Sequence, residues 1–320
     1  MRTVSVLRGG VGEEHDVSLK TGMNVLRRLE HSEYRPVDVY IDRSGVWYVR
    51  GMPLAPQRAL SSTDVVFNAL HGHYGEDGGV QRELERLGVP YTGSGPLASS
   101  IAMNKVLAKE MLSPYGIKTA RHITLTVTPD LETRLIELFR TFPQPVVVKP
   151  INSGSSVGVT LANGFIEFGN AVKKAFQYAK EVMVEEYIRG REATVGVIDK
   201  LRGSDIYKLP PVEIILPNKN QIFDYDAKYG GATREECPAS FNRADVEALE
   251  DAAAVVHERL GLRHYSRSDF IVTKHGPYFL EVNTLPGLTD QSLLPKALTA
   301  VGVSMDEFLT HVLSLALESR

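Results

Sequence analysis

Two periodicities alternate along the first third of the chain. In TVSVL (residues 3–7), RPVDVYI (35–41) and DVVFNAL (64–70) the apolar side chains form short runs or every-other patterns, which predict strands. Between them, DVSLKTGMNVLRRLE (16–30) sets Val17, Val25, Leu26 and Leu29 on one side of a helix, and GGVQRELERLG (78–88) reads as another helix. Strands and helices in this order predict an open, Rossmann-like α/β domain over residues 1–97, with ligand loops at the carboxyl ends of its strands. Those loops are RGGVGEEHDVS (8–18) and HGHYGEDGGVQ (71–81).

Beyond TGSGPLASS (92–100) the pattern changes. A helical stretch through NKVLAKEMLSPYG leads to an apolar strand PVVVKP, a Gly/Ser loop, an amphipathic helix around NAVKKAFQYAK and a strand VMVEEYI, a second unit over residues 98–186. A third, residues 187–320, carries strands EATVGVI and KLPPVEIIL, a polar loop YDAKYGGATREECPA and a helix from Arg243 to Leu260. It also carries two strands, DFIVT and YFLEVNT, whose short TKHGP connection predicts a hairpin. No repeat or low-complexity tract interrupts the chain, so the units are expected to pack together.

Composition narrows the partners. The 320 residues hold 36 basic and 39 acidic side chains, a net charge of about −3, so neither a basic stripe for nucleic acid nor a polybasic run for a membrane surface is present. A single cysteine, Cys237, excludes an internal disulfide, and without a second thiol or a Cys/His cluster it makes no metal site. MRTVSVLRGG lacks the apolar core of a signal peptide, and the longest charge-free stretch, Leu87 to Asn104, is too rich in Gly, Ser and Pro for a membrane span. These features predict a cytoplasmic protein that acts on small molecules.

Neither a P-loop nor a complete dinucleotide fingerprint occurs. Instead VVVKPINSGSSVGV places Lys149 at a strand end, followed by Gly154, Ser155, Ser156 and Gly158. Backbone N–H groups and hydroxyls of such a turn can wrap phosphate oxygens, with lysine as a point charge, although a plain hairpin turn has the same pattern. Glu185 and Glu186 leave another apolar strand, with Glu192 shortly after. They could meet a purine amino group and ribose hydroxyls, or form a solvated acidic strand end. In LEVN, Glu281 and Asn283 are two apart on one strand and share a face, and Asp269 lies on the neighbouring strand. Three converging oxygen donors suit a hard cation such as Mg²⁺, which takes one or two carboxylates and completes its shell with water and phosphate.

Taken together and in order, RGGVGEEHDVS, LHGHYGEDGGVQ, YTGSGPLASSIAMNK, VVVKPINSGSSVGV, DYDAKY, ECPA and EVNTLPGLTDQSL resemble the D-alanine:D-alanine ligases of the ATP-grasp superfamily, from about residue 4 to about 310. The resemblance implies a two-part ATP-grasp domain behind the first domain, with ATP between two sheets. By similarity Lys105 and Lys149 touch its phosphates and Ser156 covers them. Glu185, Glu186 and Ile188 hold adenine, Glu192 the ribose, and Lys228 lies near the transferred phosphate. Asp269, Glu281 and Asn283 resemble the ligands of two Mg²⁺ or Mn²⁺ ions. The implied reaction makes D-alanyl-D-alanine, a cell-wall precursor, through an acyl phosphate. Arg267 and the Gly287 N–H would stabilise the oxyanion, and Glu14 and His71 would face the first D-alanine. Ser292 and Leu293 match the positions that receive the second carboxylate, and Ser155, Tyr229 and Glu14 correspond to a hydrogen-bonded trio closing the site. A tyrosine at 229 points to an amine as second nucleophile, and the resemblance suggests a homodimer. Gly12, where many relatives carry serine, and His73 and Tyr74 depart from the pattern and bear on substrate fit.

Overall fold

Parallel pairing of β1 (Arg2–Gly9) with β2 (Tyr34–Ile41) on one side and β5 (Val65–Asn68) on the other builds the first sheet. A hairpin of β3 (Trp47–Val49) and β4 (Met52–Leu54) extends it to the order β4-β3-β2-β1-β5. The structure is a computed structural model and describes residues 1–152, 154, 157–216 and 233–318. Helix α1 (His15–Leu29) makes the crossover from β1 to β2. The short α2 (Pro56–Ala59) follows β4, and α3 (Gly79–Leu87) follows β5. Alternation divides the core cleanly: Val4, Val6, Val65 and Phe67 pack with Val25 and Leu29 of α1, whereas Leu7, Val39 and Val66 pack with Val80 and Leu84 of α3. The predicted open α/β unit is the one observed.

The second sheet is antiparallel, in the order β7-β10-β8-β9: β7 is His122–Thr126, β8 Val146–Pro150, β9 Thr160–Ala162 and β10 Glu181–Glu186. Two amphipathic helices cover one face, α6 (Leu131–Thr141) and α7 (Phe165–Ala175), burying Val146, Val148, Val182 and Val184 with Phe168 and Val172. Helix α7 begins ahead of the stretch that predicted it. Because successive side chains alternate, Lys149 and Glu185 emerge on the opposite face.

The third sheet runs β14-β13-β11-β15-β16-β6, with β12 beside β11. Its strands are β6 (Lys118–Thr119), β11 (Arg191–Asp199), β12 (Ile206–Lys208), β13 (Val212–Ile215), β14 (Arg234–Glu236), β15 (Tyr265–Thr273) and β16 (Gly276–Asn283). Helix α8 (Arg243–Arg259) covers one face, where Leu249, Ala253 and Val256 meet Ala193, Val195, Phe270 and Phe279. Helices α4 (Pro96–Met103) and α5 (Lys105–Leu112) add Ala102, Ala108 and Leu112 to that cluster. The chain then returns to the first sheet: α9 (Leu293–Ala300) and α10 (Met305–Glu318) bury Leu294, Leu298, Phe308 and Val312 against Val4, Val6 and Phe67. Among the described residues no single helix is long and apolar enough to cross a membrane. The pair α9 and α10 is apolar enough together but bends by 105°, and its apolar side is spent on this core.

Candidate active site

The hairpin predicted from DFIVT and YFLEVNT forms, and its register decides what shares a face. Asp269 lies opposite Glu281 and Arg267 opposite Asn283, while a register shift beyond Asp269 pairs Phe270 with Phe279 and leaves Leu280 without a partner. Directly opposed residues point the same way, so Arg267, Asp269, Glu281 and Asn283 project from the face not covered by α8. On β11, Thr194 lies opposite Asp269 and its hydroxyl donates to Oδ1 at 2.5 Å. Arg267 grips the same carboxylate through Nε at 3.1 Å and Nη2 at 3.2 Å. Burial opposes the charge on Arg267, but Asp269, with Glu281 and Glu76 adding to it, holds the pKa above the usual arginine value.

Helix α5 carries lysine across to this face. Asn104 caps it, its side chain accepting from the N–H groups of Val106 (3.1 Å) and Leu107 (3.0 Å), and the Lys105 N–H donates to the Ile151 carbonyl just past β8 at 3.2 Å. Lys105 and Lys109, one turn apart, therefore point the same way. Lys105 reaches Glu281 at 3.1 Å, whereas Lys109, fully buried, contacts Glu185, whose other oxygen takes Lys149 at 2.5 Å. Burial pulls Lys149 down to about 8, and burial with the neighbouring Lys149 and Lys105 pulls Lys109 well below the ordinary lysine value. A seam of carboxylates and lysines thus joins the second sheet to the third.

The first domain closes over this seam. A cavity of about 30 Å³ is lined by Glu14, Glu76, Lys105, Gly154, Glu281 and Asn283, so both the first and the third sheets' residues meet at one point. Glu14 occupies the N-cap position of α1 without capping it; its carboxylate lies instead between two glycines. A Cβ on Gly72 (φ +64°) would stand 2.3 Å from Glu14 Oε2, and one on Gly154 2.6 Å from the same oxygen. His71 is buried, with Nε2 2.8 Å from Thr21 Oγ1, and burial lowers its pKa despite the nearby Glu14, which favours the neutral ring. Burial and Glu14 push the Glu76 carboxyl up to about 8, against the Gly72 and Leu285 N–H groups, which favour its charged form. The loop after β16 supplies Gly287 and, at the start of α9, Ser292 and Leu293. The Ser292 hydroxyl lies 2.8 Å from Thr289 Oγ1 and only 3.0 Å from where a Gly287 Cβ would be.

The structure thus brings Glu14, His71, Lys105, Lys149, Glu185, Arg267, Asp269, Glu281 and Asn283 around one cleft. Glu192 is on the same face of β11 as Thr194, two residues along. Glu186 diverges: adjacent residues on a strand face opposite ways, and its carboxylate accepts from the Arg121 N–H at 3.1 Å rather than joining Glu185. Ile188 follows β10 in the connection to β11. Ser155, Ser156, Lys228 and Tyr229 lie outside the described residues. Two further residues of the cleft, Lys109 and Glu76, carry only weak sequence signals: the spacing of Lys109 four residues after Lys105, and an acid inside a glycine-rich strand-end loop.

The donors fit a hard divalent cation, two carboxylates and an amide with no thiolate or imidazole among them. Among the described residues no three His, Cys, Asp or Glu side chains are grouped to hold an ion, and Asn283 stands on the same face as Asp269 and Glu281. Lysines already held by carboxylates at Glu185 and Glu281 likewise fit a polyphosphate, whose oxygens present the same charge.

A family model described as D-ala D-ala ligase C-terminus matches residues 111–314, and one described as D-ala D-ala ligase N-terminus matches 3–59 and 51–94. A protein named D-alanine–D-alanine ligase from Geotalea uraniireducens is 41% identical, the match covering 98% of this chain and 96% of that protein. One of the same name from Syntrophotalea carbinolica is 39% identical over 98% and 95%. Among solved structures, a D-alanine–D-alanine ligase from Bacillus anthracis superposes with a TM-score of 0.80 at 34% identity, covering 99% of this chain and 98% of that one. The VanG D-Ala:D-Ser ligase from Enterococcus faecalis gives 0.85 at 27%, covering 98% and 99%. The open α/β domain, the two further sheets facing each other across a lysine seam, and matches that run nearly end to end agree on one architecture, ATP-grasp, and the chain belongs to the D-alanine–D-alanine ligase family.

Proposed function

We propose that this protein joins two D-alanine molecules into D-alanyl-D-alanine, converting ATP to ADP and phosphate and supplying a peptidoglycan precursor. The observation that carries this reading is the meeting of three groups at one cleft: lysines on paired carboxylates, the Arg267/Asp269/Glu281/Asn283 face, and Glu14 from the first domain. Lys105 and Lys149 exchange carboxylate for phosphate oxygens as ATP enters between the second and third sheets, with Glu185 and Glu192 turned to the nucleoside. Asp269, Glu281 and Asn283 would hold Mg²⁺ or Mn²⁺, two ions by family resemblance. Bound there, the cation supplies charge neutralisation on the phosphate oxygens.

Glu14 pairs with the ammonium of the first D-alanine, whose carboxylate oxygen attacks the γ-phosphorus as ADP leaves. The amine of the second D-alanine, its carboxylate at Ser292 and Leu293, then attacks the acyl carbon. Arg267 and the Gly287 N–H stabilise the tetrahedral oxyanion, and phosphate leaves, taking up the proton that the amine gives up. An acyl phosphate hydrolyses in water, which gives Ser155, Tyr229 and Glu14 a closing role, with Lys228 near the transferred phosphate. Residues 1–97 would form the substrate domain, 98–186 and 187–320 the two ATP-grasp parts, acting in the cytoplasm as a homodimer.

The test is ADP release from ATP and Mg²⁺ with D-alanine, beside D-serine plus D-alanine, D-lactate plus D-alanine, and L-alanine, with products identified by mass spectrometry. D-Alanyl-D-alanine from D-alanine alone is the expected result. ADP release only with a mixed pair moves the second substrate, and none with any pair refutes the reading.

A further inference from the structure

The loop that carries Gly287 takes its fixed points from the first domain. Glu76 accepts the Leu285 N–H on Oε1 at 3.0 Å and the Gly72 N–H on Oε2 at 2.7 Å. Beyond Gly287, Asn24 of α1 donates its side-chain amide to the Leu288 carbonyl at 2.6 Å. The Leu285 side chain is itself packed so closely on Gly93 that a Cβ there would lie 2.8 Å from Leu285 Cδ2. Residues 284–292 lie between β16 and α9 and belong to neither. The Gly287 N–H is therefore bracketed at Leu285 and Leu288 by side chains more than 200 positions away in sequence.

We propose that Glu76 and Asn24 are positioning residues that hold the 285–288 loop to the first domain, so that the Gly287 N–H and the Glu14 carboxylate keep one fixed separation. An oxyanion donor works only if it is already at hydrogen-bond distance from the place where charge develops, because a donor that must first be ordered contributes less. The clamp supplies that order. Glu76 touches no reacting atom in this scheme; its two oxygens are both committed to backbone N–H groups. The inference rests on the proposed ligase reaction for its kinetic consequence, but not for the loop geometry.

Two variants and two readouts test it. Above about pH 8, where Glu76 is ionised and both its oxygens accept, Glu76→Gln keeps size and shape, yet an amide nitrogen cannot accept an N–H, so one of the two bonds is lost. Asn24→Ala removes the anchor at Leu288. In the free protein, amide hydrogen exchange of a peptide covering 284–288 is expected to quicken about tenfold or more in either variant, while peptides from β16 and α8 keep their rates. In dipeptide synthesis, kcat is expected to fall about tenfold or more with KM for ATP within about twofold of the parent. Unchanged exchange in 284–288 overturns the clamp, as does a loss of kcat that comes with an equal change in KM for ATP and a lowered melting temperature. A parent enzyme that makes no dipeptide refutes the ligase reading, and the exchange readout then still decides the clamp.

Discussion

Replacing Lys109 with methionine removes a charge from the seam between the second and third sheets while leaving its volume almost intact. In the parent, Glu185 holds Lys109 on one oxygen and Lys149 on the other, at 2.5 Å for the latter, and the Lys109 side chain has no exposed surface. Removing one partner of a buried ion pair costs about 3–5 kcal/mol, because the other charge is left without compensation. Here Lys149 stays, and burial already disfavours the charged form of Lys109, so a smaller loss of about 2 kcal/mol is expected. At about 2–4 °C per kcal/mol for a chain of this size, the melting temperature falls by about 4–8 °C. The kinetic effect follows from the same contact: Glu185, left with Lys149 alone, draws it more strongly, and phosphate must compete for it. A competition worth about 1.4 kcal/mol raises KM for ATP about tenfold with KM for D-alanine unchanged. Thermal unfolding and ATP titrations of ADP release read both numbers, and Lys109→Met/Glu185→Gln is expected to lose less stability than the sum of the single variants. A melting temperature within 1 °C of the parent together with an unchanged KM for ATP would refute the argument that Lys109 balances Glu185.

Four other outcomes are expected. Gly72→Ala forces a side chain into φ +64° and places its Cβ 2.3 Å from Glu14 Oε2; the left-handed backbone costs about 1–2 kcal/mol, and the displaced Glu14 raises KM for D-alanine while KM for ATP stays. Burial lowers Lys149 to about 8, so above that pH the free enzyme loses a cation that phosphate favours. ATP binding then requires proton uptake, and KM for ATP rises with pH, up to about tenfold per unit, a limb that Lys149→Arg removes because arginine stays charged. Glu281→Gln lowers Mg²⁺ affinity by roughly 100-fold or more in a metal titration of turnover, since a direct ligand matters more than the 10–100-fold of an outer partner; unchanged metal dependence would exclude Glu281 as a ligand. Phe308→Ala empties a buried site where its ring meets Tyr265 edge-on at 5.2 Å and lowers the unfolding free energy in urea by about 3–5 kcal/mol, with the kinetics of the remaining folded enzyme unaltered.

For the strands and helices that it marked, the hydrophobic pattern determined by itself which face is buried, whereas β3, β4, β6, β7, α6, α9 and α10 were not read from it. Val146, Val148, Val182 and Val184 go to one side of the second sheet, and Lys149 and Glu185 to the other, because side chains on a strand alternate. The same rule put Glu281 and Asn283 on one face, and it separates Glu185 from Glu186, whose carboxylate turns to Arg121. These features depend on neighbours a few residues away, which the sequence displays directly. Only the tertiary structure decided the partners of buried charge. Lys109 meets Glu185 at a separation of 76 positions and Glu76 meets Leu285 at 209, and no periodicity specifies either. Helical spacing puts Lys109 on the side of Lys105 and does not say what receives it. A buried carboxylate must find donors wherever the fold supplies them, since leaving it without a partner costs more than any local preference returns. For the cleft this means that the side chains able to perform chemistry were legible one motif at a time, while the bonds that hold them at working distances exist only once three sheets, distant in sequence, have packed together.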